Sequence, residues 1–235
     1  MNRVRIILGI FEKQIKDLLK NLQVLILFFV YPVVALIMTS AMSGQLDFGP
    51  ATFFVSIFAT MHSIFSPIVA TISIISEEKE KNTLRALIMS NVKPLDYLIS
   101  IGGFVFITTM LSGLIFLFAG DFTSEAILKL LLSMSIGTIC SIILGLSIGA
   151  FSKNMAAANA IAVPVGMVFA FLPMLATFNK KIADVSRFTY GYQISKLISS
   201  DSLKLAFADW MVILANLIVF IIMFIIVFKR NKLEN

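Results

Sequence analysis

Apolar residues in this chain occur in long unbroken runs rather than in short alternating ones. Six stretches, 22–42, 52–76, 97–120, 130–152, 154–179 and 210–228, contain no Asp, Glu, Lys or Arg. Each holds between 19 and 26 residues, and about 20 suffice for an α-helix to cross a hydrocarbon core of roughly 30 Å. All 32 charged residues fall in the segments between them, a segregation that buried helices of soluble proteins do not show. The runs lack period-two alternation and are too long for barrel strands of about 10 residues, so helices are what satisfies the backbone in lipid. The fold class that follows is all-α: a single transmembrane domain over 1–235 with six transmembrane helices.

The first 21 residues follow another rule. Val4, Ile7, Leu8, Phe11, Ile15, Leu18, Leu19 and Leu22 recur at spacings of three and four, with Arg3, Arg5, Glu12, Lys13, Lys16, Asp17 and Lys20 on the rest of the wheel. That pattern predicts an amphipathic interfacial helix over 1–21. It is not a signal peptide, because charge interrupts its apolar residues and no small-residue cleavage site follows.

An even number of spans puts both termini on one side. With that side cytoplasmic, the inner segments hold 13 of the 19 basic residues, which favours N-in and C-in in a cytoplasmic membrane. The outer segment 180–209 carries five basic residues, suiting either a surface that steers an anionic or amphipathic solute or a plain outer loop.

Composition narrows the chemistry. Of the residues, 59% are hydrophobic and 14% charged, which excludes a disordered chain and a nucleic-acid-binding domain. One cysteine, Cys140, and one histidine, His62, leave no disulfide and no His/Cys metal set. No glycine is followed by lysine, so the chain has no P-loop to hold ATP. No span contains a carboxylate, which removes the usual ion relay of a secondary transporter, the rival transport class. Gly145-Leu146-Ser147-Ile148-Gly149 satisfies the serine-hydrolase pattern G-x-S-x-G, with His62 the sole conceivable base. That elbow requires a strand-to-helix turn, whereas here the two glycines fall in an apolar helix as a small-xxx-small packing face. His62, with Ser66 near it and Asn159 in the fifth span, is read either as the polar lining of a solute path or as interhelical hydrogen bonding.

The inner segment 77–96 is the most informative. Within it Thr83 is placed to cap a short helix and Asn91 to end one, with Leu84, Leu87 and Ile88 forming an apolar face at i, i+3 and i+4. Two turns of helix do not persist alone, so this face requires cover. Glu78-Lys79-Glu80-Lys81-Asn82-Thr83-Leu84, then Ser90-Asn91-Val92, directly after the second of six spans, resembles the cytoplasmic signature of type-two ABC-transporter permeases. The likeness extends over nearly the whole chain, through Pro164 and Pro173 in span five and Phe188-Thr189-Tyr190-Gly191-Tyr192 before span six. Asn82 stands where the family usually has Gly, and Asn91 where it has Pro.

The resemblance implies that this segment is a coupling helix seated in a cleft of a separate ATP-binding cassette subunit, with Glu78, Glu80, Thr83, Leu84, Leu87 and Ile88 at the contact. It implies two such subunits carrying ATP and magnesium, a second permease copy making a homodimer or heterodimer, and short outer helices within 180–209. In those, Ile194, Leu197 and Ile198 form the apolar face, while Tyr190, Tyr192 and Trp210 suit the headgroup boundary. The implied function is a non-enzymatic permease subunit of an exporter for an amphipathic peptide, antibiotic or drug.

The charge count makes topology testable. In a Cys140→Ser background, Lys81→Cys and Asn231→Cys should be shielded in intact cells from an impermeant thiol reagent, and Ser200→Cys should label. Labelling at Lys81→Cys from outside would invert the orientation.

Overall fold

The structure, a computed structural model, describes residues 3–42, 52–81, 83, 94–120, 122–200 and 205–233. Described in chain order are α1 (Arg3–Lys20), α2 (Leu22–Met42), α3 (Thr52–Glu80), α4 (Pro94–Gly113) with a 3-10 continuation (Leu114–Ala119), α5 (Ser124–Phe151), α6 (Met155–Phe178), the short α7 (Lys180–Ser186) and α8 (Tyr190–Ser199), and α9 (Phe207–Leu233). Among the described residues six helices are long and apolar enough to cross a membrane: α2, α3, α4 with its continuation, α5, α6 and α9. The helices outrun the charge-free stretches. α3 continues four residues past Ser76 to Glu80, and α5 starts at Ser124 rather than near 130, because a charged side chain at a helix end reaches water without breaking the backbone ladder.

The bundle is built around α3, which packs against α2, α4, α5, α6 and α8. In its most apolar window 72% of residues are buried, against 11% in α9, whose Ile218, Ile222 and Ile226 remain exposed. Hydrophobicity alone does not choose between neighbours in lipid; close approach and hydrogen bonds do. Gly145 and Gly149 of α5 supply the close approach. A Cβ on Gly145 would lie 2.9 Å from Thr71 Cβ and 3.1 Å from the Ile68 carbonyl oxygen, and one on Gly149 3.1 Å from Ile75 Cβ.

Prolines free backbone carbonyls for contacts between helices. Pro67 has no N–H for the carbonyl of Ser63, four residues earlier, and the Ser141 hydroxyl of α5 donates to that oxygen at 3.2 Å. With its proton so engaged, Ser141 accepts from the Tyr190 hydroxyl at 2.8 Å. Tyr190 is fully buried, tilted against Phe169 and edge-on to Phe220 with ring centroids 5.3 and 5.7 Å away. The expectation that Tyr190 sits at the headgroup boundary is therefore corrected, because its phenol has a partner inside the bundle. Ile194, Leu197 and Ile198 point inward with it, all at 5% exposure or less. Thr189 caps α8, its hydroxyl oxygen accepting from the Tyr192 amide at 3.3 Å.

The same device recurs on α6, where Pro173 leaves the Phe169 carbonyl without its helical donor. Gly191 lies against that carbonyl so closely that an added Cβ would be 2.4 Å from the oxygen. Gly191→Ala should therefore destabilise the protein by about 1–3 kcal/mol, as overpacking against backbone does. Gly9, with nothing within 4 Å of an added Cβ, is the control. Gly9→Ala should be neutral or stabilising by up to about 1 kcal/mol, both read as melting temperatures in detergent.

Candidate functional site

α3 leaves the apolar core through Glu77-Glu78-Lys79-Glu80-Lys81. At 100° per residue, successive side chains of this turn face different neighbours, and each finds its own.

Glu78 turns toward α1. Its Oε1 accepts from Lys13 Nζ at 2.5 Å and from Gln14 Nε2 at 2.7 Å, and the residue is only 3% exposed. The Tyr97 hydroxyl of α4 adjoins the same carboxylate. α1 presents Gln14 because it has three sectors: Ile10 and Gln14 are buried, Val4, Leu8, Ile15 and Leu19 are exposed and apolar, and Arg5, Glu12, Lys16 and Lys20 are exposed and charged. The buried sector packs on α4, where Phe11 meets Phe104 edge-on with centroids 5.5 Å apart.

Lys79 turns the other way and donates to the carbonyls of Ala150 and Ser152 at 2.7 and 2.6 Å. These close the C-terminal end of α5, where a cation complements the unpaired carbonyls and the helix dipole. Glu80 accepts the Met155 amide at 2.9 Å, an unpaired donor in the first turn of α6, where the opposite charge is favoured. Asn154 caps the same end through the Ala157 amide at 2.8 Å. Lys79 and Glu80 thus grip the 152–154 turn from both sides. Glu77 pairs with Lys81, and that carboxylate beside it holds the Lys81 ammonium above the usual lysine range.

Of the residues expected at the coupling contact, Glu78 and Glu80 bind within the chain, and the Thr83 hydroxyl donates back to the Glu78 carbonyl at 3.1 Å. The amide that Thr83 would cap, together with Leu84, Leu87, Ile88 and Asn91, lies outside the described residues. Lys13, Gln14 and Lys79 were not singled out from sequence. Gln14 carried a signal, as a neutral amide in the sector of α1 otherwise filled by Ile6, Ile10 and Leu18; Lys79 carried none, since its carbonyl partners are 71 and 73 residues away.

The residues named for a solute path separate. His62 Nε2 donates toward the Thr109 carbonyl at 3.1 Å, with the Ser112 hydroxyl also at 3.1 Å, and Ser66 lies 3.3 Å from Nδ1. Ser66 also reaches the Leu27 carbonyl at 3.0 Å, so this cluster joins α2, α3 and α4, with both His62 and Ser66 fully buried. Asn159 is half-buried on α6. Ser147 is not paired with His62: its hydroxyl reaches the carbonyls of Ile143 at 2.9 Å and Phe220 at 3.0 Å, joining α5 to α9. Among the described residues no group of three or more His, Cys, Asp or Glu is placed to hold a metal ion.

Residues 36–229 match the family model described as ABC-2 family transporter protein. The chain belongs to that family. It is accordingly an ABC transporter membrane subunit, a multi-pass membrane protein whose family works with an ATP-binding cassette partner. The curated proteins offer no match to it. The match takes in α3 to α8 and leaves α1 outside, so in this ABC-2 permease the Lys13–Glu78 pair ties a helix beyond the matched region to one within it.

Removing one side of that pair leaves its partner without the opposite charge. Lys13→Met should cost about 1.5–3 kcal/mol, the range for a hydrogen bond to a charged group, and Glu78→Leu alone should cost similarly by stranding Gln14 and Lys13. The double variant should be less damaging than the sum of the two, measured as melting temperatures of the purified membrane subunit.

Proposed function

We infer that this ABC-2 permease is the membrane half of an exporter, moving an amphipathic peptide, antibiotic or drug outward across the cytoplasmic membrane with both termini inside. Two ATPase subunits bind ATP and magnesium and hydrolyse the nucleotide; the permease performs no bond chemistry. Two permease copies, identical or related, frame the path between them. Each permease contributes differential binding of inward-open and outward-open states, so that closure of the ATPases shifts access.

One observation supports this reading above the others: the three residues Glu78, Lys79 and Glu80, which lead directly into the segment 84–93, bind α1, α5 and α6. In this scheme a displacement of the segment carrying Leu84, Leu87 and Ile88 passes through the end of α3 into three other helices. In this scheme Leu84, Leu87 and Ile88 meet the ATPase, with Thr83 at the edge. Glu78 and Glu80 serve the contact from behind, by fixing the end of α3.

Leu87→Asp tests the contact. An unpaired charge in a dry interface costs several kcal/mol, and about 3 kcal/mol lowers partner affinity more than a hundredfold. The ATPase subunit should be lost on purification while membrane insertion is kept, since position 87 lies outside every span. Copurification and solute-stimulated ATPase activity equal to the parent complex would move the coupling contact elsewhere.

A further inference from the structure

The turn between α7 and α8 carries a cation that the coupling reading does not use. Asn216 of α9 donates to the Phe188 carbonyl at 2.9 Å. It lies six residues into the charge-free stretch 210–228, about 9 Å along a helix. On the other side Gly191 packs against the Phe169 carbonyl, nine residues before α6 ends at Phe178, about 14 Å along that helix. The turn is therefore re-entrant, set below the ends of the spans that flank it. It is also held in place. The Gln193 side chain, 2% exposed, donates to the Arg187 carbonyl at 2.6 Å, and the Thr189 hydroxyl donates to the Ser186 carbonyl at 2.7 Å. With its main chain fixed from α8 and α9, the turn displays the side chains of Arg187 and Phe188, both exposed. The guanidinium lies over the Phe188 ring, 4.9 Å from its centroid.

A charged side chain at membrane depth is costly and requires a counter-charge or water. Among the described residues Arg187 forms no ion pair, and neither does Asp184, one turn before it. A contact with an aromatic face consumes no N–H of the guanidinium, so its donors remain for an anion. Lys180 and Lys181, exposed at the start of α7, make the stretch net positive even with Asp184 counted. The surroundings are apolar. Val185 and Phe188 are 65% and 63% exposed, and Val219, one turn beyond Asn216, is 58% exposed. α9, which holds the turn, is the least buried of the six spans, as a helix facing lipid is. The anion that lipid brings to such a place is a phosphate. We propose that Arg187 anchors the phosphate of an anionic phospholipid in the leaflet away from the Glu77 to Lys81 turn, with the acyl chains along Val185, Phe188 and α9. The planar guanidinium holds two phosphate oxygens at once, and the long side chain reaches up from the re-entrant turn to the phosphate level. The two lysines of α7 favour a lipid with net negative charge over a zwitterionic one. The proposal rests on the membrane placement of the spans and not on the coupling contact.

Native mass spectrometry of the full chain, purified in detergent and titrated with phosphatidylglycerol and phosphatidylcholine of identical acyl chains, tests it. The first phosphatidylglycerol should bind about fivefold more tightly than phosphatidylcholine, the factor for one basic residue near an anionic surface. Arg187→Gln should bring the two lipids to equal affinity without changing the melting temperature, because the bonds that hold the turn at 187 go to its main chain. Lys153→Gln, on the turn between α5 and α6 at the other end of the bundle, should keep the preference. Equal affinity of the parent protein for the two lipids overturns the proposal, as does a preference that survives Arg187→Gln. Inorganic phosphate competing at the concentration of the lipid overturns the lipid assignment in favour of a free anion. An Arg187→Gln protein that keeps the lipid preference but loses solute-stimulated ATPase activity assigns the residue to the solute path and overturns it as well. Copurification of the ATPase subunit is unaffected by the lipid results, so the coupling reading stands or falls separately.

Discussion

The carbonyl of Ser63 is the point on which the packing of this bundle turns. In lipid a backbone oxygen without a donor has no water to fall back on, and Pro67 removes the donor that a helix would supply. Ser141 fills the vacancy from α5 at 3.2 Å, and Tyr190 then binds Ser141 at 2.8 Å. One missing N–H thereby fixes the rotation of α5 against α3 and draws α8 into the bundle from the far end. The glycines follow from this geometry: with Ser141 turned to α3, Gly145 and Gly149 lie one and two turns further along the same face, where a side chain would meet Thr71 and Ile75. Pro173 repeats the arrangement on α6, where a close backbone approach by Gly191 takes the place of a hydrogen bond.

At the other end of α3 the chemistry changes from backbone satisfaction to charge. Lys79 and Glu80 are adjacent and opposite in sign, and they meet a helix end and a helix start across the 152–154 turn. Each satisfies orphan groups that every helix terminus leaves exposed, so the two contacts do not depend on a neighbouring charge and persist at high salt better than a surface ion pair would. Glu78 is different. It is a buried carboxylate held by Lys13 and Gln14, and the attachment of α1 to the bundle rests on it and on apolar contacts such as Phe11 with Phe104. On the proposed reading, the most buried of the described spans is the one joined to the coupling segment, and its last turn is where movement is handed to three other helices.

How much of this was legible beforehand can be judged residue by residue. The six spans, the all-helical class and the family were legible, because charge exclusion over about 20 residues has one physical cause. Ser147 was legible as a packing residue, since a G-x-S-x-G inside an apolar helix has no turn on which to mount a nucleophile, and it is found bonded to carbonyls of α5 and α9. The apolar face of Ile194, Leu197 and Ile198 was legible too, but not its destination. Tyrosine in general favours the membrane surface, yet the bundle buries Tyr190 because Ser141 offers a partner there.

The sequence by itself determined where the chain enters and leaves the apolar phase, since that depends only on the local cost of burying charge. It also determined that residues 84, 87 and 88 share one face of any helix formed there, because 3.6 residues per turn is a local property. Which polar groups meet was decided only in three dimensions. Lys79 and Ala150 are 71 positions apart, and Lys13 and Glu78 are 65; no periodicity links positions so distant. Glu78 and Glu80 look alike in the sequence, two acids spaced by one lysine. The helix turns them about 200° apart, sending one into a buried pair with α1 and the other onto the amide of α6, and that rotation gives the two carboxylates different work.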